Sequence, residues 1–209
     1  MNDNFPNKIP VFPLSGVIYF PKTNLPLNIF EKRYLALVED AMKKDKLMGM
    51  VQARDDGNEV YKVGCLGKIS DYRKSDEGRV FINLEGVTRF EIKEEINNDK
   101  LYREFQVKYD KFKNDLMPSK ILLGEKDLEN FLEKTKKFFK KNGLLLNWKE
   151  FEKLEMDQQI NTLAMISPLT NEEKQKVLET TTNLEKVSTL TSIIEFYFHE
   201  TGNGKNSVN

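Results

Sequence analysis

Few side chains in this sequence are suited to making or breaking bonds. Its 209 residues include one histidine, His199, and one cysteine, Cys65. His199 stands beside Glu200 at the end of an apolar-periodic segment, where a helix C-terminus favours a cationic group. It reads as a solvated end residue, and a histidine-based triad or metal site is set aside. Cys65, between Val63-Gly64 and Leu66-Gly67, reads as a small buried apolar group in a strand. One thiol makes no internal disulfide and no cysteine metal cluster. Carboxylates are abundant, but nothing singles out an acid–base pair. The nearest constellation is Glu31 with Arg33 and Arg89. Glu31 falls in the first turn of a predicted helix, where free amides favour a carboxylate, and Arg89 could reach it from a neighbouring strand. Such a group reads first as a lock between helix and sheet, and otherwise as a ligand or partner contact. Lys134, Lys136, Lys137, Lys140 and Lys141 follow Glu125, Asp127, Glu129 and Glu133 on one predicted helix. That acidic start and basic finish suits the helix dipole and a solvated face; phosphate contact is the alternative.

These residues must be held by elements whose spacing the sequence shows. Between residues 9 and 34, apolar residues are punctuated by Pro10, Pro13, Pro21 and Pro26. Proline removes a backbone donor and biases its predecessor away from helix. The pattern predicts strands at about Ile9 to Leu14 and Leu25 to Asn28 around a bent loop, then a helix from about Phe30 to Lys43. Phe30, Tyr34, Leu37, Val38 and Ala41 form its apolar stripe, which should lie on a sheet. Strands follow at 46–54 and 60–73, separated by a turn at 55–58 in which Gly57 can take positive φ. After a turn at 74–79, Val80, Ile82 and Leu84 alternate, then reset at Glu85-Gly86 into a hairpin or strong bulge. Tyr102, Phe105, Val107 and Tyr109 mark the last strand. Short strands at this spacing suggest a twisted antiparallel sheet or partly closed barrel, not a Rossmann-like core.

The pattern changes near Lys113, and residues 114–124 form the expected linker. Beyond it Leu128, Phe131, Leu132, Thr135, Phe138 and Phe139 share one helix face. Asn147 with Glu150, and Thr170 with Glu173, have capping-box spacing. Ile160, Leu163, Ala164 and Ile166 form the next buried set, and Asn183 starts a last helix carrying Leu184, Val187, Leu190, Ile194 and Tyr197 or Phe198. Residues 1–8 and 201–209 are expected to be flexible.

Composition narrows the class. Thirty-three basic and 33 acidic residues cancel, so there is no general pull toward nucleic acid or an anionic membrane. A chain of this length can bury roughly 70% of its extended surface. The start resembles no signal peptide, and no apolar run approaches the roughly 20 residues that span a bilayer. The protein is read as soluble and cytoplasmic.

Several runs carry a family resemblance: FPL at 12–14, FP at 20–21, LPLNIFEKRY at 25–34, EGVTRF at 85–90, GLLLNW at 143–148, NTLAMISPL at 161–169 and EKQKVLE at 173–179. Together they resemble the amino-terminal domain of Lon-type ATP-dependent proteases, in its small stand-alone bacterial form, over nearly all of residues 9–199. Asn28 stands where those proteins usually have histidine. The resemblance implies an α+β fold, with a PUA-like antiparallel sheet or pseudo-barrel and a packed helix over 9–113, then an all-α bundle over 125–200. The sequence contains no G-x-x-x-x-G-K-[ST] phosphate cradle and is expected to end before any protease domain, so no catalytic residue, metal or cofactor is expected.

The function so implied is a protein- or peptide-binding module, acting as an adaptor or substrate selector in protein quality control. Its expected partners are unfolded or partly folded polypeptide, or a protease or chaperone, with the protein a monomer or weak dimer. Binding would need an exposed apolar patch with a polar rim. The expected contacts are Val17, Ile18, Tyr19, Phe20 and Pro21, with Asn24 and Asn28 as polar partners, on a concave surface between sheet and bundle. RNA is the second partner class, by analogy with other PUA-like folds. An enzyme is the third, and would need a pocket of convergent ionisable groups with perturbed pKa values; none is expected.

Overall fold

The structure, a computed structural model, describes residues 5–54, 59–117 and 124–203. The expected turn at 55–58, residues 118–123 of the expected linker, and residues 1–4 and 204–209 of the expected flexible ends lie outside the described residues. The chain divides into two compact units, residues 1–117 and 118–209.

The first unit contains strands β1 (Lys8–Leu14), β2 (Asn24–Ile29), β3 (Leu47–Gln52), β4 (Val63–Lys74), β5 (Val80–Ile96) and β6 (Arg103–Lys108), and helix α1 (Lys32–Met42). The strand order β2-β5-β4-β3-β1-β6 is closed by a further β5–β6 pairing. β5 is the seam. Its first half pairs with β2 from Asn24↔Glu85 to Ile29↔Val80, and its second half pairs with β6 from Glu91↔Lys108 to Ile96↔Glu104. Of the two readings at Glu85-Gly86, hairpin or bulge, the bulge is the correct one. β5 is one 17-residue strand, and the register jumps between Leu66↔Thr88 and Gly67↔Gly86, leaving Val87 as the extra residue. Such a bulge bends the strand and lets it serve two partners.

The sheet is not wholly antiparallel, because β1 and β3 run parallel with Val11 opposite Gly49. A parallel pair needs a crossover connection, and β2 plus α1 supply it. α1 packs on β1 and β3, with the Tyr34 ring 3.9 Å from that of Phe12. The barrel interior is filled by Ile9, Val11, Val51, Leu66, Phe90, Phe105 and Val107. Phe90 leaves no room for a side chain at Gly64, where a Cβ would lie 2.7 Å from the ring and 2.4 Å from the Met50 carbonyl oxygen.

Several expected boundaries move. α1 begins at Lys32 rather than Phe30, and Glu31 is its extended N-cap, so Phe30 leaves the apolar stripe and is 62% exposed. Residues 5–8 are ordered: the Tyr109 hydroxyl donates to the Pro6 carbonyl at 2.8 Å, and the Val107 amide donates to Asn7 at 2.7 Å. A 3₁₀ helix over Asp110–Leu116 occupies the start of the expected linker.

The second unit comprises α2 (Glu125–Lys141), α3 (Trp148–Phe151), α4 (Met156–Ile166), α5 (Asn171–Leu178) and α6 (Asn183–Asn203). α6 packs against α2, α4 and α5 and runs into the segment expected to be a flexible tail. Its buried residues include Val187, Leu190, Ile193 and Ile194, whereas Leu184 is exposed. The capping box at Thr170 and Glu173 is complete. Asn147 accepts from the Glu150 amide. Thr182, immediately before Asn183, forms a further reciprocal cap with Glu185.

Candidate functional site

The apolar loop expected to meet a partner is turned inward. Ile18, Tyr19, Phe20 and Pro21 are buried and Val17 is half-buried, which corrects the expectation of an exposed contact. The cause lies in Gly86. The Lys22 amide donates to the Gly86 carbonyl at 2.8 Å, and the Gly86 amide donates to the Thr23 carbonyl at 2.9 Å. A Cβ at 86 would stand 2.2 Å from the Phe20 carbonyl oxygen, so only glycine lets the loop lie this close to the strand. The Thr23 hydroxyl closes the turn by donating to Phe20 at 2.6 Å. Burial pushes the Tyr19 phenol far up, and its hydroxyl has no hydrogen-bond partner among the described residues.

Glu31, Arg33 and Arg89 do not form one constellation. Glu31 accepts from Arg33 Nε at 2.9 Å on the surface. Arg89 is 1% exposed and serves Asp115 instead. Its Nη2 lies 2.7 Å from Asp115 Oδ1, while its Nε and its backbone amide both donate to Oδ2 at 2.9 Å. The guanidinium also stacks 4.4 Å from the centre of the Phe112 ring. This clamp fastens the 3₁₀ helix to β5. Asp115 lies in the segment read as a linker, so nothing in the sequence marked it as a partner.

One exposed apolar pair of the first unit lies at the start of β5, apart from Leu101, Leu116 and Met117, which are also exposed. Phe30 is 62% and Phe81 45% exposed. Extending the β2–β5 register by one step puts Phe30 opposite Arg79, whose guanidinium lies 5.8 Å from the Phe30 ring. Phe81, opposite Asn28, is then a diagonal neighbour of Phe30 on the same face. Asn24, Pro26 and Asn28 of β2 are exposed along that face, and Asn24 accepts a hydrogen bond from Asn83 at 3.1 Å. The alternation of Val80, Ile82 and Leu84 already places Phe81 on the opposite, solvent side; Phe30 gave no such signal.

A cleft of about 250 Å³ opens near the start of β1, lined in part by Lys8, Asp40, Lys100, Tyr102 and Glu104. This corrects the expectation that ionisable groups converge on no pocket. The Lys100 ammonium lies 2.8 Å from the Tyr102 hydroxyl and 3.0 Å from Glu104. Lys8 approaches the other Glu104 oxygen at 3.2 Å, and Tyr102 donates to Asp40 at 2.8 Å. Burial raises the Glu104 carboxyl, but the two ammoniums outweigh it and hold the group below its ordinary range. The Tyr102 hydrogen bond likewise holds Asp40 down. Lys100 is pushed up, first by that hydroxyl and then by Glu104. Acids lowered and a base raised are locked in their charged forms, the opposite of groups tuned to exchange protons near neutral pH.

Among the described residues no group of three or more histidine, cysteine or acidic side chains could hold a metal, and no helix is long and apolar enough to cross a membrane. On α2, Lys134 pairs with Glu195, Lys136 with Glu152 at 2.8 Å, and Lys137 with Glu133 at 2.7 Å.

Residues 8–195 match the family model described as the ATP-dependent protease La (LON) substrate-binding domain. The Lon protease of Desulfosudis oleivorans is 29% identical over 104 residues, covering 46% of this chain and 13% of that protein. The Lon protease of Syntrophus aciditrophicus is 24% identical over 205 residues, covering 90% of this chain and 25% of that protein. The chain therefore matches a quarter or less of these relatives' length. Among solved structures, the Lon N-terminal domain protein from Xanthomonas campestris has a TM-score of 0.67 at 19% identity, covering 88% of this chain and 97% of that one. The N-terminal domain of the Mycobacterium avium complex Lon protease has a TM-score of 0.65 at 16% identity, covering 90% and 98%. At these identities the likeness is one of fold.

Proposed function

The chain belongs to the family of Lon substrate-binding domains, and from that premise we propose that it holds unfolded or partly folded polypeptide for a protease or chaperone partner. Residues 8–195 correspond to the non-catalytic, substrate-binding region of those proteins. The observation that carries the reading is the exposed pair Phe30 and Phe81 beside Asn28, an apolar patch with a polar rim. Side chains of that kind gain by covering apolar segments that a native protein would hide and an unfolded one shows. The reading supposes a cytoplasmic protein that works as a monomer or weak dimer; a single buried thiol suits a reducing compartment.

RNA draws no comparable support, since Lys134, Lys136 and Lys137 are each taken up by a carboxylate. A reduced, alkylated and fluorescently labelled protein, permanently unfolded, is the probe. The protein should bind it in preference to its native form, and Phe30→Ser with Phe81→Ser should weaken binding by on the order of tenfold while the melting temperature stays within a few degrees. Equal binding by the double variant would remove this surface from the function. Binding to single-stranded RNA in place of the unfolded probe would replace the reading altogether.

A further inference from the structure

We propose that the outer edge of β2 takes up an extended segment of the bound polypeptide as an added β-strand. The inference rests on the reading of the chain as a polypeptide-binding module and names how that surface grips its client. The backbone hydrogen bonds decide which groups face outward. In an antiparallel ladder, residue pairs alternate between those that exchange hydrogen bonds and those that do not. The Gly86 amide donates to the Thr23 carbonyl while the Gly86 carbonyl takes the Lys22 amide, so Thr23 and Gly86 share one bond at the end of the ladder, and that bond sets its phase. The register then makes Leu25↔Leu84, Leu27↔Ile82 and Ile29↔Val80 the next bonded pairs. Asn24, Pro26 and Asn28 fall between them, so their backbone groups point away from β5.

β2 is the end strand of the sheet order, and those three residues are exposed. The edge therefore offers the amides of Asn24 and Asn28 as donors and the carbonyls of Asn24, Pro26 and Asn28 as acceptors. The two donors stand roughly 13 Å apart. Acceptors at every second residue, flanked by a donor at each end of one line, are met by another extended backbone, whatever its side chains. Phe30 and Phe81 at one end of the line then receive side chains of the added strand.

Pro26 selects among occupants. It lacks an amide proton, so two copies of β2 paired edge to edge and antiparallel about their centres would bring two such gaps together. A client segment with its own full set of amides loses only one bond. Pro26 thus blunts self-pairing in the way edge strands commonly avoid aggregation, and leaves a grip that is weak and indifferent to sequence.

The test uses the full chain and a capped, soluble peptide alternating valine and lysine. Its comparison is the same peptide with ester linkages in place of backbone amides, which keeps the side chains and removes the donors. Peptide binding should slow hydrogen exchange at the Asn24 and Asn28 amides, and the ester analogue should bind at least on the order of tenfold more weakly, because it cannot donate to the three edge carbonyls. If the peptide binds with those amides unprotected and the ester analogue binds equally well, the edge is not the site, although Phe30 and Phe81 could still hold unfolded chains. If the unfolded probe binds but the peptide does not, the added strand is likewise overturned. Protection that grows with protein concentration and needs no peptide would show a second copy on the edge and overturn the proposal. Failure of the unfolded probe itself to bind would instead sink the module reading.

Discussion

Arg89 directs three N–H groups at one carboxylate, the two side chains being 1% and 7% exposed, and the energetics of that arrangement are lopsided. Removing one partner of a buried pair strands a charge, whereas replacing both with apolar residues is often tolerated. Asp115→Ala should therefore cost about 3–5 kcal/mol, and Arg89→Leu combined with Asp115→Leu should cost less than the two single changes summed. Urea unfolding followed at Trp148-independent wavelengths, such as far-ultraviolet circular dichroism, measures both; additive costs would show that Arg89 and Asp115 act separately. Gly86→Ala is a second residue-scale case, because its new Cβ would press on the backbone of Phe20 and Pro21 at 2.2 and 2.9 Å. Neither neighbour is the tip of a flexible side chain, so a loss of about 1–3 kcal/mol is expected, seen as a lower melting temperature. An unchanged melting temperature would mean the loop does not need this close approach. The motif EGVTRF made Gly86 and Arg89 visible in the sequence, yet their partners were not. Any of several carboxylates could have met Arg89, and a glycine in a strand announces close contact without saying with what.

Elements were legible where local chemistry fixes them. Thr170 and Glu173 stand three residues apart before an amphipathic run, and both hydrogen bonds of their capping box are present. Thr170→Ala should cost about 1 kcal/mol, measured as a shift in the urea midpoint. Thr170→Ser should restore most of it, since a serine hydroxyl can accept from the same amide; no rescue would point to lost methyl packing instead. The start of α1 shows the opposite case. Phe30 has helical spacing to Tyr34, but the backbone at Glu31 is still extended, with φ −74° and ψ 133°. Periodicity sees spacing, not the residue at which the chain turns. The parallel β1–β3 pair was equally hidden, because a strand's own residues do not reveal the direction of its neighbour. The buried loop at 18–21 and the exposed Phe30 exchanged expected roles for one reason. Apolar composition reports that a residue gains by leaving water, not whether its own chain or another will cover it.

At the scale of the molecule, the order of strands before helices was plain in the sequence, and it gives two units with separate cores. Their charges differ in a way that should show in acid. In the first unit Asp40, Glu91, Glu95 and Glu104 are all held below the ordinary carboxylate range by hydrogen bonds and cationic neighbours. The first three are substantially exposed and contribute little, but the Glu104 side chain is only 4% exposed between Lys8 and Lys100. A carboxyl whose folded pKa lies below its unfolded value adds stability that is fully present above the unfolded value, about 4.3 for glutamate. That stability is lost as pH falls through the folded value. Among the described residues of the second unit, Glu133 alone is shifted in this sense, and it lies on an open helix face. Lowering the pH from 7 toward 3 should therefore destabilise the first unit more than the second. Trp148 lies in the second unit, so its fluorescence reports that unit during thermal unfolding, and circular dichroism at a strand-sensitive wavelength reports the first. Glu104→Gln removes the titrating group: it should lower the melting temperature of the first unit at pH 7 and flatten its dependence on pH below 5. Parallel acid profiles for the variant and the original protein would show that the Lys8–Glu104–Lys100 network does not set the acid limit of the barrel.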